Sequence, residues 1–391
     1  MITLAEARRI ITESVAPLGS EPVPLAEACG KVLADPVVAD AWYPSGDRAT
    51  MDGYVIAGDE IAGEFLVVGE IQAGDIPDRP LSSGEAMRIF TGALVPEGGG
   101  RVIPQEMAER AGDKVKFESL PEPLFVRPKG SEAKPGDTIL PAGAFLGAAE
   151  LAMLAQVGAV NPVTVKHPVV RHIATGGEIV PPDETPPVGK IRDTNSTLLA
   201  ALLGKLGVES ISSARCGDDP EKLAALCDAP CDLLLISGGA SVGDYDFGAE
   251  ALRRLGFTVH FDKVKLRPGK PLTFATRGSQ VAFVIPGNPV SHFVCFHVAI
   301  RLAVELMSGR KPLWDFVELE LGGGEVLRPD PRETFWPVRL EAPDGALVAI
   351  PLRWSTSGDT FSLAGTHALA VVNESSPANN RVQTLLLDLR L

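Results

Sequence analysis

From residue 168 onward, short runs of consecutive apolar residues alternate with helical stretches, and few folds accept that rhythm. VVRHIA (169–174), CDLLLIS (231–237), FTVHF (257–261) and VAFVI (281–285) read as strands. NSTLLAALLGKL (195–206), 246–255 and 290–307 read as the helices between them. Strands this apolar are buried on both faces, which predicts a parallel α/β sheet with helices on either side. Ligands of such sheets bind beyond the carboxyl ends of the strands, so the segments that follow the strands are where chemistry is expected.

The rest of the chain has a different grain. Residues 3–15 form an amphipathic helix: Thr3 and Glu6 make a capping-box pattern, Leu4, Ala7, Ile11 and Val15 share a face, and Pro17 and Gly19 end it. Residues 20–140 interleave Pro and Gly with short apolar runs such as FLVVGEI (65–71), AMRIF (86–90) and KVKFESL (114–120), the pattern of a β-rich module. AFLGAAELAMLAQV (144–157), ended by Gly158, reads as a second helix, expected to pack with the first as one small domain into which the β-module is inserted. Residues 311–391 return to β character and read as an all-β domain. The 40 glycines and 33 prolines accompany 45% hydrophobic residues, so they signal turns and not disorder. A length of 391 residues suits two to four domains.

Three loops follow predicted strands: Thr175-Gly176-Gly177-Glu178, the run Ser237-Gly238-Gly239-Ala240-Ser241 to Asp246, and Pro286-Gly287-Asn288-Pro289-Val290-Ser291. Glycines let backbone N–H groups close on an anion, and a following helix N-terminus adds a favourable dipole. Ser237, Ser241 and Ser291 offer further hydroxyls. Lys265, Arg267 and Lys270 bring cations between the second and third loops. The carboxylates Glu178, Asp218, Asp219, Asp244 and Asp246 beside such loops suit Mg²⁺, a hard ion that bridges to phosphate. Each feature has a plainer reading: Asp246 as a helix N-cap, and Asp218–Asp219 as caps for a helix starting near Pro220. Three anion-friendly loops at strand ends together favour a site.

Several functions are excluded. The net charge is −14 and no dense Lys/Arg run appears, which argues against nucleic acid. The five scattered cysteines do not form a disulfide framework; Cys227 and Cys231 lie four apart, but with no second pair at finger spacing they read as buried thiols and not a zinc site. The amphipathic N-terminus is unlike a signal peptide and no apolar run reaches membrane-spanning length, so a cytoplasmic protein without a membrane partner is expected. Walker, GxGxxG, HExxH and GxSxG motifs are absent. His292 and His297 share a predicted helix without the spacing of metal ligands and read as packing residues.

Six motifs in order resemble the molybdopterin molybdenumtransferases, the MoeA/gephyrin E-domain family: Met51-Asp52-Gly53-Tyr54, Arg88 to Ala93 (RIFTGA), Asp193-Thr194-Asn195, Ser237-Gly238-Gly239 to Asp246, Pro268-Gly269-Lys270-Pro271 and Pro286 to Ser291. The resemblance runs through nearly the whole chain. It implies a multidomain α/β plus β architecture. Residues 1–46 and 141–167 would form a small discontinuous helical domain, and 47–140 an inserted β-rich module. Residues 168–310 would form a molybdopterin-binding-type α/β domain with a parallel-rich sheet, and 311–391 an all-β C-terminal domain. It also implies a homodimer whose active cleft lies between subunits, with Asp52 and Thr91 acting in trans. The family inserts molybdate into adenylyl-molybdopterin with release of AMP, assisted by Mg²⁺ or a similar divalent ion. By carry-over the catalytic groups are Asp52, Thr91, Glu178, Asp218 and Asp246, of which Glu178, Asp218 and Asp246 would hold metal. Ser237, Gly238, Gly239, Ser241, Arg267, Lys270, Gly287, Asn288 and Ser291 would bind the substrate. A molybdopterin adenylyltransferase and recipient apo-molybdoenzymes are the implied pathway partners. Alternatives remain: an adenylyltransferase-like or CinA-like nucleotide enzyme, or a non-catalytic cofactor-binding or scaffolding paralogue. The chain departs from the family at Gly177, where Asp is usual, at Glu132, also usually Asp, and at Gly98-Gly99-Gly100. Nothing in the residues separates molybdate from tungstate.

Overall fold

The first helix, α1 (Leu4–Ser14), starts where Thr3 and Glu6 cap each other: the Glu6 amide donates to the Thr3 hydroxyl at 3.2 Å and the Thr3 amide to the Glu6 carboxylate at 2.7 Å. In this computed structural model the described residues are all but 60–62, 218, 239–246, 313, 315, 324–326, 328–329, 375–380 and 388–391. The apolar edge of α1, Leu4, Ala7 and Ile11, is buried in a core it shares with Phe293, Val298 and Leu302. Arg8 lies over the Trp314 ring at 3.5 Å and donates to the Val298 carbonyl at 2.7 Å. Burial there pushes its pKa down to about 10, which leaves it charged at neutral pH.

The second helix, α2 (Ala148–Gln156), packs elsewhere, with Leu154 in a cluster of Val23, Leu33, Leu140 and Leu146. The two helices expected to pack together thus belong to separate cores. The chain segments on either side of the β-module are joined instead by strand pairing, Ser20–Pro22 with Val163–Val165 and Val37–Val38 with Thr138–Leu140. The helix also begins at Ala148 and not at 144, because Phe145 forms a β-bridge with Val32 and the Glu150 carboxylate accepts the Gly147 amide at 3.0 Å. Between these segments, six strands form one mixed sheet in the order 101–104, 53–56, 85–89, 65–71, 114–117, 108–111. Gly53 is required in it, since a Cβ there would lie 1.9 Å from the Ile103 carbonyl oxygen.

The α/β domain contains, in order, β1 (Val170–Thr175), α3 (Asn195–Lys205), β2 (Ile211–Cys216), α4 (Pro220–Cys227), β3 (Leu233–Ser237), α5 (Phe247–Arg254), β4 (Thr258–Phe261), β5 (Thr273–Arg277), β6 (Gln280–Ile285) and α6 (Pro289–Met307). The sheet order is β2-β1-β3-β6-β5-β4; the first four strands are parallel, and β5 and β4 add antiparallel at one edge. The expected parallel sheet is therefore mixed at that edge, where β5 is a short hairpin partner of β6. Alternation divides the cores: Leu233, Leu235, Phe283 and Ile285 face α1, α3 and α6, while Leu234, Ile236, Ala282 and Val284 face α4 and α5. Helix α6 is apolar and long enough to cross a bilayer by length and composition, yet 89% of that window is buried inside the protein, as befits a core helix. It contains a π turn at Phe296–Ile300.

In the C-terminal domain, strands 333–341, 348–351, 316–321, 381–386 and 368–372 pair in that order, and 333–341 pairs again with 368–372, which closes the sheet into a barrel. Leu266–Arg267 of the α/β domain joins it, parallel to Glu333–Thr334.

Candidate active site

The register of the central sheet brings the three loops to one level. Ala174 is paired with Ser237, and Ser237 with Ile285, so the chain leaves β1, β3 and β6 side by side. The loops are then fastened to each other. The Gly238 amide donates to the Ile285 carbonyl at 2.9 Å, the Thr175 hydroxyl to the Ser237 carbonyl at 3.0 Å, and Asn195 Nδ2 to the Gly287 carbonyl at 2.7 Å. Gly238 has φ +87°, and a Cβ would sit 2.6 Å from Thr175 Oγ1, so only glycine fits.

Over these loops opens a cavity of about 700 Å³, also walled by residues 190–195 and by Gly358, Thr360 and Phe361 of the C-terminal region. The N-termini of α3 and α6 both reach its lining, at Asn195 and at Asn288–Pro289. Their aligned peptide dipoles favour an anion. Lys190 and Arg192 add cations at the wall; Lys190 Nζ donates to the Gly177 carbonyl and Arg192 Nε to the Glu184 carbonyl at 3.0 Å. The C-terminal wall is held by Asn288 Nδ2 donating to Ser357 Oγ at 2.8 Å and by the Val290 amide donating to the Ser357 carbonyl at 3.1 Å.

Of the residues singled out in the sequence, Glu178, Ser237, Gly238, Gly287 and Asn288 line this cavity. Asp218, Gly239, Ser241 and Asp246 lie outside the described residues. Ser291 is buried on α6 and does not line the cavity. Neither Arg267 nor Lys270 lines it; the Arg267 guanidinium is paired with Asp330 at 2.7 Å. Asp219 is the N-cap of α4, accepting the Glu221 and Lys222 amides at 3.0 Å each. Asp52 and Thr91 stand on the β-module, where Asp52 Oδ1 accepts both the amide and the hydroxyl of Thr91 at 2.8 Å. The Thr91 amide first, and then its hydroxyl, hold the Asp52 carboxyl below the usual carboxylate range.

Under the cavity floor lies a group of side chains that includes His292, which sequence spacing assigned to packing. The Ser237 hydroxyl sits between two imidazoles, 2.5 Å from His172 Nε2 and 2.6 Å from His292 Nε2. All three residues are at most 3% exposed. His292 is therefore a polar link and not an apolar packing residue, whereas His297 does pack edge-on against Phe293 and Phe296. Burial lowers the pKa of His172 to about 4 and that of His292 to about 3, so both are neutral at pH 7.

Three family models cover most of the chain. Residues 2–158 match the MoeA N-terminal region (domain I and II), 171–305 the probable molybdopterin binding domain, and 324–383 the MoeA C-terminal region (domain IV). A molybdopterin molybdenumtransferase of Nostoc sp. is 35% identical over 369 residues, spanning 90% of this chain and 85% of the relative. The chain belongs to the molybdopterin molybdenumtransferase family. A family member from Haemophilus influenzae is 33% identical, over 80% of this chain and 79% of its own. The molybdopterin biosynthesis MoeA protein of Pyrococcus horikoshii superposes with a TM-score of 0.83 at 28% identity, over 99% of both chains. The expected multidomain architecture, with a parallel-rich central sheet and a β-barrel-like C-terminal domain, is that of the family.

The family implies a divalent ion. Mg²⁺ takes oxygen ligands, commonly one or two carboxylates with substrate phosphates completing the shell. Among the described residues no cluster of three or more His, Cys, Asp or Glu stands ready for a metal, but Glu178 places one carboxylate in a cavity suited to a phosphate. That donor set fits an ion that arrives with a phosphorylated substrate.

Proposed function

We propose that this chain inserts molybdenum into molybdopterin, using adenylyl-molybdopterin and molybdate and releasing AMP. The observation that carries this reading is the convergence of three strand-end loops and two helix N-termini on one cavity. A phosphoanhydride carries several negative charges, and backbone donors, helix dipoles and the wall cations Lys190 and Arg192 oppose them. Asn195 bridges the α3 end to the Gly287 carbonyl and keeps both helix ends aimed at the same anion. Glu178 would hold Mg²⁺, which when bound neutralises phosphate charge and polarises a phosphoryl oxygen.

The reading extends to a homodimer, in which Asp52 and Thr91 of one subunit complete the cleft of the other. Asp52 is ionised and held by Thr91, so it accepts hydrogen bonds and does not donate a proton at neutral pH. A water oriented by such a carboxylate would attack the adenylyl phosphorus, forming AMP while the phosphoanhydride bond breaks and molybdopterin phosphate departs as the leaving group. A cytoplasmic location, an adenylyltransferase as supplier and apo-molybdoenzymes as recipients belong to the same reading.

The decisive experiment incubates the protein with adenylyl-molybdopterin, Mg²⁺ and molybdate and follows AMP release alongside reconstitution of an apo-molybdoenzyme. Molybdate-dependent release with reconstitution is expected. Tight binding without release would identify a non-catalytic cofactor-binding protein and overturn the proposal.

A further inference from the structure

Five side chains form one continuous hydrogen-bonded chain beneath the cavity. Ser196 Oγ lies 2.6 Å from Asp193 Oδ2 and 3.1 Å from His172 Nδ1; His172 Nε2 lies 2.5 Å from Ser237 Oγ, which lies 2.6 Å from His292 Nε2. The chain ties together the α3 N-terminus, strands β1 and β3, and the first turn of α6. These are the elements whose ends make the cavity floor.

Counting protons fixes its direction. Asp193 also accepts the Ser196 amide at 3.0 Å, so its carboxylate is purely an acceptor. The single hydroxyl proton of Ser196 therefore points at Asp193, and Ser196 Oγ must accept from His172 Nδ1–H. A neutral His172 then has a bare Nε2, which takes the one proton of Ser237. Ser237 Oγ in turn accepts from His292 Nε2–H. The Asn288 carbonyl, 3.4 Å from His292 Nδ1, and the Pro286 main chain also face that ring, but a proton on Nδ1 would leave two bare nitrogens against the single Ser237 hydroxyl proton, so Nε2 carries the hydrogen. Every proton points towards Asp193, and both ends of the Ser237 hydroxyl are used inside the protein.

We propose that Asp193 and Ser196 set the tautomer of His172, and that His172 and His292 act as positioning residues: they turn the Ser237 hydroxyl away from the ligand and lock the course of the Ser237–Gly238 main chain where it lines the cavity. This rests on reading the cavity as the site of the adenylyl phosphate. It assigns Ser237 a different part from the hydroxyl donor suggested by a glycine–serine loop. A serine hydroxyl free to rotate would exchange between ligand and protein, whereas one held at both ends leaves a single loop geometry. Ser196 does not line the cavity, so changes there reach the ligand through His172.

Two measurements test this. In wild-type protein, ¹⁵N-resolved imidazole spectra at pH 7.5 are expected to show His172 protonated on Nδ1 and His292 on Nε2; the opposite tautomer at His172, or an imidazolium, overturns the proposal. In turnover assays, Ser196→Ala is expected to raise KM for adenylyl-molybdopterin about tenfold with kcat within about twofold, as misplacement of a binding group does. Ser196→Thr, which keeps the hydroxyl, should restore KM. An unchanged KM in Ser196→Ala, or an equal loss with Thr, would also overturn it. Should wild-type protein release no AMP, the functional reading fails, while the spectra still decide whether the chain runs as described.

Discussion

Asp52 Oδ1 is gripped twice by Thr91, by the amide and by the hydroxyl, each at 2.8 Å. The two residues come from different strand ends of the β-module and aim one carboxylate oxygen, leaving the other open. Thr91→Val removes the hydroxyl but keeps the amide and the β-branched shape. The Asp52 pKa should then rise towards its ordinary value, seen in a carboxyl ¹³C titration, and kcat should fall about tenfold. Asp52→Ala is expected to abolish AMP release with an unchanged elution volume on gel filtration. Wild-type turnover in Asp52→Ala would remove it from the chemistry.

A second expectation concerns acid. The folded pKa of His172 is about 4, below its unfolded value of 6.5. The unfolded chain therefore binds the extra proton first, and the folded state is favoured fully above pH 6.5 and less as pH drops towards 4. Between pH 7.5 and 5.0 this group alone should cost about 2 kcal/mol of stability. Urea unfolding of wild type and His172→Leu at both pH values checks it: the wild type should lose more on acidification. Equal losses would mean that His172 is not held neutral.

A third follows from the loop backbone. Gly238→Ala demands a left-handed conformation of alanine and sets its Cβ 2.6 Å from Thr175 Oγ1 and 2.9 Å from the Thr175 carbonyl oxygen. We expect about 2 kcal/mol or more of destabilisation in urea. Thr175→Val should not rescue it, because the carbonyl contact remains.

At the cavity wall stands Phe361, a phenylalanine that is 93% exposed. A flat heteroaromatic substrate gives such a ring a stacking partner, worth about 1–3 kcal/mol per base in comparable cases. Phe361→Ala should raise KM about tenfold and leave the urea midpoint in place. Phe361→Trp should keep the wild-type KM, and a KM unaffected by alanine would exclude stacking.

Much of this was legible in the residues. Strands β1, β3 and β6 are runs of apolar residues buried on both faces, and their glycine-rich exits lie where such a sheet binds ligands. Legibility stopped where distant segments meet. His172 sits on an apolar strand and His292 on an apolar helix, so periodicity alone files both under core; only the register beside Ser237 joins them. Phe361 reaches the cavity because the Ser357 turn docks on Asn288, a contact between residues 69 apart that no local pattern announces. Arg267 looked like part of a basic loop, but Asp330, a C-terminal residue, takes its charge. The two amphipathic helices matched in length and character, yet the pattern that creates an apolar face does not say which core will cover it.

Arg8 of α1 bonds to Val298 across 290 positions of sequence, and Leu4, Ala7 and Ile11 share the core of α6. At about 5–20 residues per second, a ribosome releases α1 roughly 15 to 60 s before its partner helix exists. For that interval the apolar side of α1 lacks the α6 side chains that cover it in the folded protein, and the β-module is made while α1 still waits for them.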